Sequence, residues 1–381
     1  MKSILVAPNS FKECANAVKV THLFDKHLDK SIFHVIPKPI SDGGDGFLDV
    51  CKFYFPLEIL NYKVTSPYNE EVIDCKIGLH RKEKTVYIES AEILGLKKVP
   101  LSKRHPLILS SKGMGDLLKL IIKDIENSKI HVEKIVVGIG GTGTMDLGIG
   151  MCSRLGLKLY DVYGQELEAV PDSFPKVDKI DIPNKRFPIK VQTVLDVDNA
   201  LLGTKGAAKI YGKQKGATAG EVNVIELGWN KLVNLLEKNQ LLDLSNKLSG
   251  AGGGLAVGLK ILSDTSEMKA SDFIKKEFDL NDIKPFPDIV VTGEGAFDEQ
   301  TLMGKGAGTI ISMFEEQNIP VVLCCGKIDN EVSEKLSMNV FPIELGKYYD
   351  SVEQSIQNFE ESIKLACDEI AGMTDILIKI S

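Results

Sequence analysis

Seven carboxylates stand beside glycines or at the ends of apolar runs: Asp42, Asp45, Asp146, Asp196, Asp198, Glu294 and Asp298. Singly, each reads as an ordinary cap or turn residue. Together they fall in four loops, most of them rich in glycine, and Lys12, Lys215 and Lys305 sit in or beside such loops. That combination suits phosphoryl transfer. The chemistry asks for one or two carboxylates on Mg²⁺, lysines or backbone N–H groups facing the transferring charge, and one carboxylate to orient the attacking hydroxyl.

The loop with the most small residues is Gly138-Ile139-Gly140-Gly141-Thr142-Gly143-Thr144-Met145-Asp146, entered from Ile135-Val136-Val137 and left through a segment of helical apolar spacing from Gly148 to Leu155. Strand, tight turn, helix is the expected order. Glycines bring bare N–H groups close to a ligand and a helix N-terminus adds partial positive charge, so an anionic ligand is expected here. Gly138-x-Gly140-x-x-Gly143 formally matches the dinucleotide fingerprint, with Asp161 downstream. The preceding strand is short, however, the dinucleotide loop does not need the hydroxyls of Thr142 and Thr144 with Asp146, and the carboxylates elsewhere have no job in hydride transfer. No G-x-x-x-x-G-K-[ST] occurs, so a nucleotide would be held by a different design.

Apolar periodicity supplies the elements that position these loops. Ser3–Ala7, 34–36, 189–194, 288–292, 320–324 and 340–343 read as strands, and 57–64, 71–78 and 85–89 as antiparallel strands. Helices are expected to about Leu28, over 47–55, over 117–125 after a Gly113–Asp116 loop, over 222–236 with Trp229 as a packing residue, over 307–315, and as one amphipathic helix from Val352 to Ile370. Lys213–Gly216 reads as a turn. Alternation beyond Leu195 places Asp196 and Asp198 on one face. Both ends of the chain look like α/β units, so one α/β domain built from 1–62 plus 286–381 is expected, with a mixed α/β domain, 63–285, inserted. No internal repeat is apparent.

At 381 residues and 43% apolar, the chain can bury two cores. Its net charge of −7 argues against nucleic acid or a membrane surface as partner. Seven cysteines without a C-x-x-C pair fit buried thiols in a reducing compartment, and the start of the chain reads as strand, so a cytoplasmic protein is expected.

The order of Ala7-Pro8-Asn9-Ser10-Phe11-Lys12, Ser41–Gly46, Gly138–Asp146, Asp196–Asn199, Gln214-Lys215-Gly216-Ala217, Thr292–Gly295, Asp298–Thr301 and Gly304-Lys305 closely resembles the type-1, glycerate 2-kinase family of bacterial glycerate kinases. The resemblance implies an ATP- and Mg²⁺-dependent enzyme that phosphorylates D-glycerate, typically at the 2-hydroxyl. It also implies two α/β domains, one flavodoxin-like and one with a restriction-endonuclease-like core, with the site in the interdomain cleft. The chain departs from the family pattern at Asn9, where Asp is usual, and at Met145, where Asn is usual.

On this reading Asp196, supported by Asp198, orients or deprotonates the hydroxyl. Asp42 and Asp298, with Glu294, hold Mg²⁺. Lys12 and Lys305 offset anionic charge. Ser10, Gly43, Gly44, Gly140, Gly141, Thr142, Thr144, Lys215, Gly252, Gly253 and Gly293 line the substrate and phosphates. Another small hydroxy acid as acceptor, or a non-catalytic sugar-acid-binding protein keeping the fold, are the alternatives.

Overall fold

The computed structural model describes residues 1–183, 187–196, 200–203, 206–242, 248–302 and 305–380. The chain forms two compact units, Met1–Tyr54 with Lys269–Ser381, and Phe55–Met268.

In the first unit five strands pair in parallel. Their order is Val340–Glu344, Val321–Cys325, Ile289–Gly293, Lys2–Pro8, Phe33–Pro37. Counted along the chain within this unit, that is 5-4-3-1-2. Ile4, Val6, Ile289, Val291, Val322 and Cys324 share a core with Val20 and Phe24 of helix Ala17–His27 and with Ile363 and Ala366 of helix Phe359–Gly372. The alternating residues Leu5, Val290 and Leu323 are also fully buried, because helix Ala307–Glu315 packs against the first, third and fourth strands. Coverage of both faces is why these strands read as unbroken apolar runs. Asn16 caps the first helix by accepting from the Lys19 amide at 2.8 Å.

The third and fourth strands carry a local repetition that the sequence reading did not anticipate. Val290 pairs with Val321 and, past a glycine turn, Ala296 pairs with Lys327. The offset is 31 residues both times (321 − 290 and 327 − 296). Each short strand leads into a one-turn helix, Glu299–Leu302 or Asn330–Ser333.

The second unit holds a six-stranded sheet ordered Thr265–Lys269, Lys190–Leu195, Lys134–Ile139, Thr85–Glu89, Val72–His80, Glu58–Thr65. The pairs 190–195/134–139 and 134–139/85–89 are parallel, and the last three strands form an antiparallel meander.

Three local expectations change. The helix expected from Leu117 starts at Lys112, with Gly113 and Gly115 inside it. A Cβ on Gly113 would lie 2.2 Å from the Thr65 carbonyl oxygen and one on Gly115 2.4 Å from that of Met151, so these glycines serve close packing and not a loop. The expected turn at Lys213–Gly216 is the end of a helix, Ala207–Gln214, with Lys215 at its C-cap. The closing helix breaks at Asn358 into Val352–Gln357 and Phe359–Gly372, and Val352 is 66% exposed. Apolar spacing there carried on past the point where burial begins. No helix among the described residues is long and apolar enough to cross a membrane.

Candidate active site

In an open parallel sheet, ligands favour the carboxyl ends of strands where the winding direction reverses. In the first unit that point lies between strands Lys2–Pro8 and Ile289–Gly293. Asn9 and Glu294 are the residues that leave those two ends. The Asn9 amide donates to the Gly293 carbonyl at 2.8 Å, and its Nδ2 donates to Asp42 Oδ2 at 3.2 Å. Glu294 Oε1 is buried without a hydrogen-bond partner. Burial, then the neighbouring charge of Asp42 and, less, that of Asp298, push the Glu294 carboxyl up to about 8, while Thr301 and Lys12 pull the other way.

Gly306 closes this crevice. Its φ of +42° is a glycine conformation, and a Cβ there would meet Asn9 Nδ2 at 2.8 Å and Glu294 Oε1 at 3.5 Å. Beside it, Lys305 is half-buried and Lys12 is exposed. Asp298 is exposed, and its Oδ1 accepts from the Thr301 amide at 3.0 Å and from the Thr301 hydroxyl at 3.3 Å. The amides of Gly43 and Gly44 donate to Ser41 Oγ and Asp42 Oδ1, at 3.2 and 2.9 Å, so this glycine pair shapes the Asp42 turn. Ser10 donates its amide to Asn9 Oδ1 at 2.8 Å. Gly293 is the last residue of its strand, and a Cβ on it would lie 1.5 Å from the Cys324 carbonyl oxygen. Its glycine is required by the neighbouring strand end.

In the second unit the carboxyl ends of the three parallel strands lead into Ser90, Gly140 and Asp196. Gly140 and Gly141 begin the loop, with Ser90 Oγ 3.4 Å from both the amide and the carbonyl oxygen of Gly140. Lys215 Nζ donates to the Thr144 carbonyl at 2.9 Å and to Thr142 Oγ1 at 3.5 Å. Burial lowers the Lys215 ammonium to about 7, with Asp146 opposing the shift. Thr144 Oγ1 is buried with no partner. Asp146 is itself buried and fully engaged: it accepts from the Ser111 amide and hydroxyl, both at 2.7 Å, and from the amides of Gly150 and Gly148, at 3.1 and 3.2 Å. It holds the turn into helix Ile149–Arg154.

Gly252, Gly253 and Gly254 take three successive left-handed conformations, φ +62°, +71° and +82°. A Cβ on Gly253 would lie 1.9 Å from the Thr144 carbonyl oxygen, and one on Gly252 2.4 Å from Ile139 Cγ2. This segment presses on the 139–147 loop from behind. Trp229 adds a strut, donating Nε1–H to the Met145 carbonyl at 2.8 Å. Asp196 is half-buried; burial, and after it the charge of Asp196, raises the Tyr211 hydroxyl to about 12. Asp198 lies outside the described residues.

The structure thus sorts the residues marked in the sequence into two groups, each within its own unit. Asn9, Asp42, Glu294 and Gly306 gather in the first, with Lys12 and Asp298 acting on Glu294 through their charge. Thr142, Thr144, Lys215, Gly252 and Gly253 gather in the second. Sequence reasoning missed Ser90, Ser111, Tyr211, Thr301 and Gly306. Only Gly306, next to Lys305 at the head of a helix, carried a readable signal.

Mg²⁺ prefers one or two carboxylates completed by waters and phosphate oxygens. Among the described residues no group of three or more His, Cys, Asp or Glu is arranged to hold a metal ion. The partnerless Glu294 oxygen, with Asp42 and Asp298 repelling its charge, fits a cation bound in that sparse way.

Comparison with known proteins matches residues 4–375 to the model of the glycerate kinase family. The chain is 29% identical to a glycerate kinase of Neisseria meningitidis, over 95% of this chain and 94% of that one. It is 31% identical to a glycerate kinase of Halalkalibacterium halodurans, over 86% of each. It is 28% identical to the glycerate 2-kinase of Escherichia coli, over 96% of this chain and 94% of that one. The crystal structure of a provisionally assigned glycerate kinase 2 from Salmonella typhimurium LT2 superposes with a TM-score of 0.76 at 25% identity, covering 98% of both chains. With the match running nearly end to end, this chain belongs to the glycerate kinase family of phosphotransferases.

Proposed function

We propose that this protein transfers the γ-phosphoryl group of ATP to D-glycerate, with the 2-hydroxyl as the favoured acceptor. The observation that carries the reading is the match along 96% of the chain to a protein named glycerate 2-kinase. The two loop clusters support it, since one holds a buried carboxylate oxygen without a hydrogen-bond partner beside Asp42 and the other holds a buried ammonium and a partnerless hydroxyl.

In this proposal Asp196 orients or deprotonates the attacking hydroxyl from a strand end, which gives its carboxylate a fixed direction, and Asp198 supports it. Asp42 and Glu294, with Asp298, hold Mg²⁺, which when bound neutralises charge on the phosphate oxygens. Lys12 and Lys305 offset charge on the γ-phosphate or the substrate carboxylate. The loop of Gly140, Gly141 and Thr142 supplies backbone donors to an anionic oxygen, held in shape by Gly252, Gly253 and Lys215. We read the first unit as flavodoxin-like, supported by its parallel 2-1-3-4-5 order, and the second as the restriction-endonuclease-like core. A cytoplasmic location is part of the same reading, supported by seven free cysteines, six of them buried.

The test is ADP release from Mg-ATP over a panel of three- to six-carbon hydroxy acids, with the phosphorylated carbon assigned by NMR. D-Glycerate is expected to give the highest kcat/KM with phosphate at C2. Turnover confined to another acid would overturn the substrate, and none with any acid the reaction.

A further inference from the structure

Between Asn9 and helix Ala17–His27 the chain makes a small closed loop. The Phe11 amide donates to the Ala15 carbonyl at 2.9 Å, and the amides of Cys14 and Ala15 donate to the Phe11 carbonyl, both at 3.0 Å. Lys12 and Glu13 are its exposed tip, while Phe11 is 2% exposed. Glu13 holds a φ of +71°, which a residue with a Cβ disfavours. Such a loop is not rigid by itself, because ordering its backbone costs entropy that a few hydrogen bonds do not offset.

Two contacts from elsewhere in the first unit supply the rest. Gly295 follows Glu294, and a Cβ on it would stand 3.3 Å from the Lys12 nitrogen and 3.7 Å from Phe11 Cα. Backbone therefore lies against backbone there. The second contact is Phe359, 8% exposed, whose ring lies against that of Phe11 with centroids 5.1 Å apart at 53°. Tilted rings at that distance attract beyond the apolar area they bury. Phe359 opens helix Phe359–Gly372, whose Ile363 and Ala366 sit in the same core as Phe11, so its ring is carried on a fixed element. It lies outside every motif marked in the sequence.

Lys12 depends on this arrangement. It is the residue next to Phe11, and its charge reaches Glu294. An ammonium on a flexible four-carbon stem has a defined reach only when its backbone is held. Phosphoryl transfer relies on positioned charge, and a misplacement of about 1 Å is enough to lower its rate.

We infer that Phe359 is a positioning residue for phosphoryl transfer: through the Phe11 ring it fixes the 11–15 loop, and with it the Lys12 ammonium. This rests on the role given to Lys12 above and adds what holds that lysine in place.

The experiment uses the full chain in a double-mutant cycle of Phe359→Ala and Lys12→Ala, read by ADP release with Mg-ATP and D-glycerate. Phe359→Ala is expected to lower kcat about tenfold or more with the KM for glycerate unchanged, and to have almost no effect once Lys12 is alanine. A second measurement needs no turnover. Of the seven cysteines only Cys14, inside the loop, is not buried, so its alkylation by iodoacetamide, followed by peptide mass mapping, reports how firmly the loop is held. That rate is expected to rise about tenfold or more in Phe359→Ala. A folded Phe359→Ala protein with unchanged Cys14 labelling overturns the inference, as does a loss of kcat equally large in the Lys12→Ala background. If Phe359→Ala does not fold, Phe359→Leu, which keeps apolar bulk without the ring, enters both measurements under the same criteria. Wild-type turnover in Lys12→Ala removes Lys12 from the chemistry and overturns the positioning role. Faster labelling in Phe359→Ala, while wild type phosphorylates no hydroxy acid, supports the hold on the loop and sinks the proposed reaction.

Discussion

At the strand ends of the first unit, Asp42 and Asp298 surround one buried glutamate oxygen that nothing satisfies, and the carboxyl resists ionising. At the strand ends of the second, an ammonium is buried against a carbonyl and a threonine hydroxyl, and it resists staying charged. Both sets of loops are written in the same glycine-rich style. Their electrostatic deficits are opposite: the first calls for a cation, the second for an anion. Glycine richness marks where backbone comes close, and the charge that burial leaves uncompensated marks what belongs there.

The contrast can be broken by experiment. Asp196→Asn is expected to cost at least about 10²-fold in turnover, measured by ADP release with Mg-ATP and D-glycerate; wild-type turnover in that variant removes Asp196 from the chemistry. Glu294→Gln is expected to raise the Mg²⁺ concentration for half-maximal turnover about 10- to 100-fold while leaving the KM for glycerate alone. Should the acid's KM move instead, the division of labour between the clusters is wrong. Chelation of Mg²⁺ is expected to stop wild-type turnover.

Gly253→Ala tests the second loop through its support. With φ at +71° and a Cβ 1.9 Å from the Thr144 carbonyl oxygen, it is expected to cost about 2 kcal/mol or more in urea unfolding.

The last effect is on pH, where each single unit shifts stability only modestly. Lys215 titrates at about 7 when folded, against 10.5 for an ordinary lysine. Between those values the unfolded chain holds a proton that the folded one does not, so stability contributed here rises with pH across that window, and the burden of buried charge is fully present below 7. Unfolding free energy of wild type minus that of Lys215→Met is expected to increase from pH 7 upward, by at most about 1.4 kcal/mol per unit. A flat difference would mean that the ammonium is solvated and the second cluster is not poised for an anion.

Much of the first unit was legible because its signals are local. Ser3–Ala7 and Asp288–Thr292 read as buried strands and lie side by side in the sheet, and the helix expected over 307–315 is found there. Signals of the same local kind misled where a distant segment sets the requirement. Gly113 and Gly115 looked like a loop and are helix, since Thr65 and Met151 need the space. Gly252 and Gly253, expected beside a ligand, also press closely on Ile139 and the Thr144 carbonyl, a requirement no local signal shows.

Periodicity, turn chemistry and the placing of carboxylates beside glycines are properties of neighbouring residues, and those the amino-acid order determined by itself. The family, too, was readable there, because motif order along a chain needs no folding to be seen. What only the tertiary structure decided is the charge state and partnership of each marked group. Glu294 is hard to ionise because folding buries it and then brings Asp42, far away in sequence, near it, and Lys215 is hard to keep charged because the loop after a different strand closes over it. Desolvation and Coulomb energy depend on distance in space, and chain separation carries almost no information about that distance until the sheets have formed.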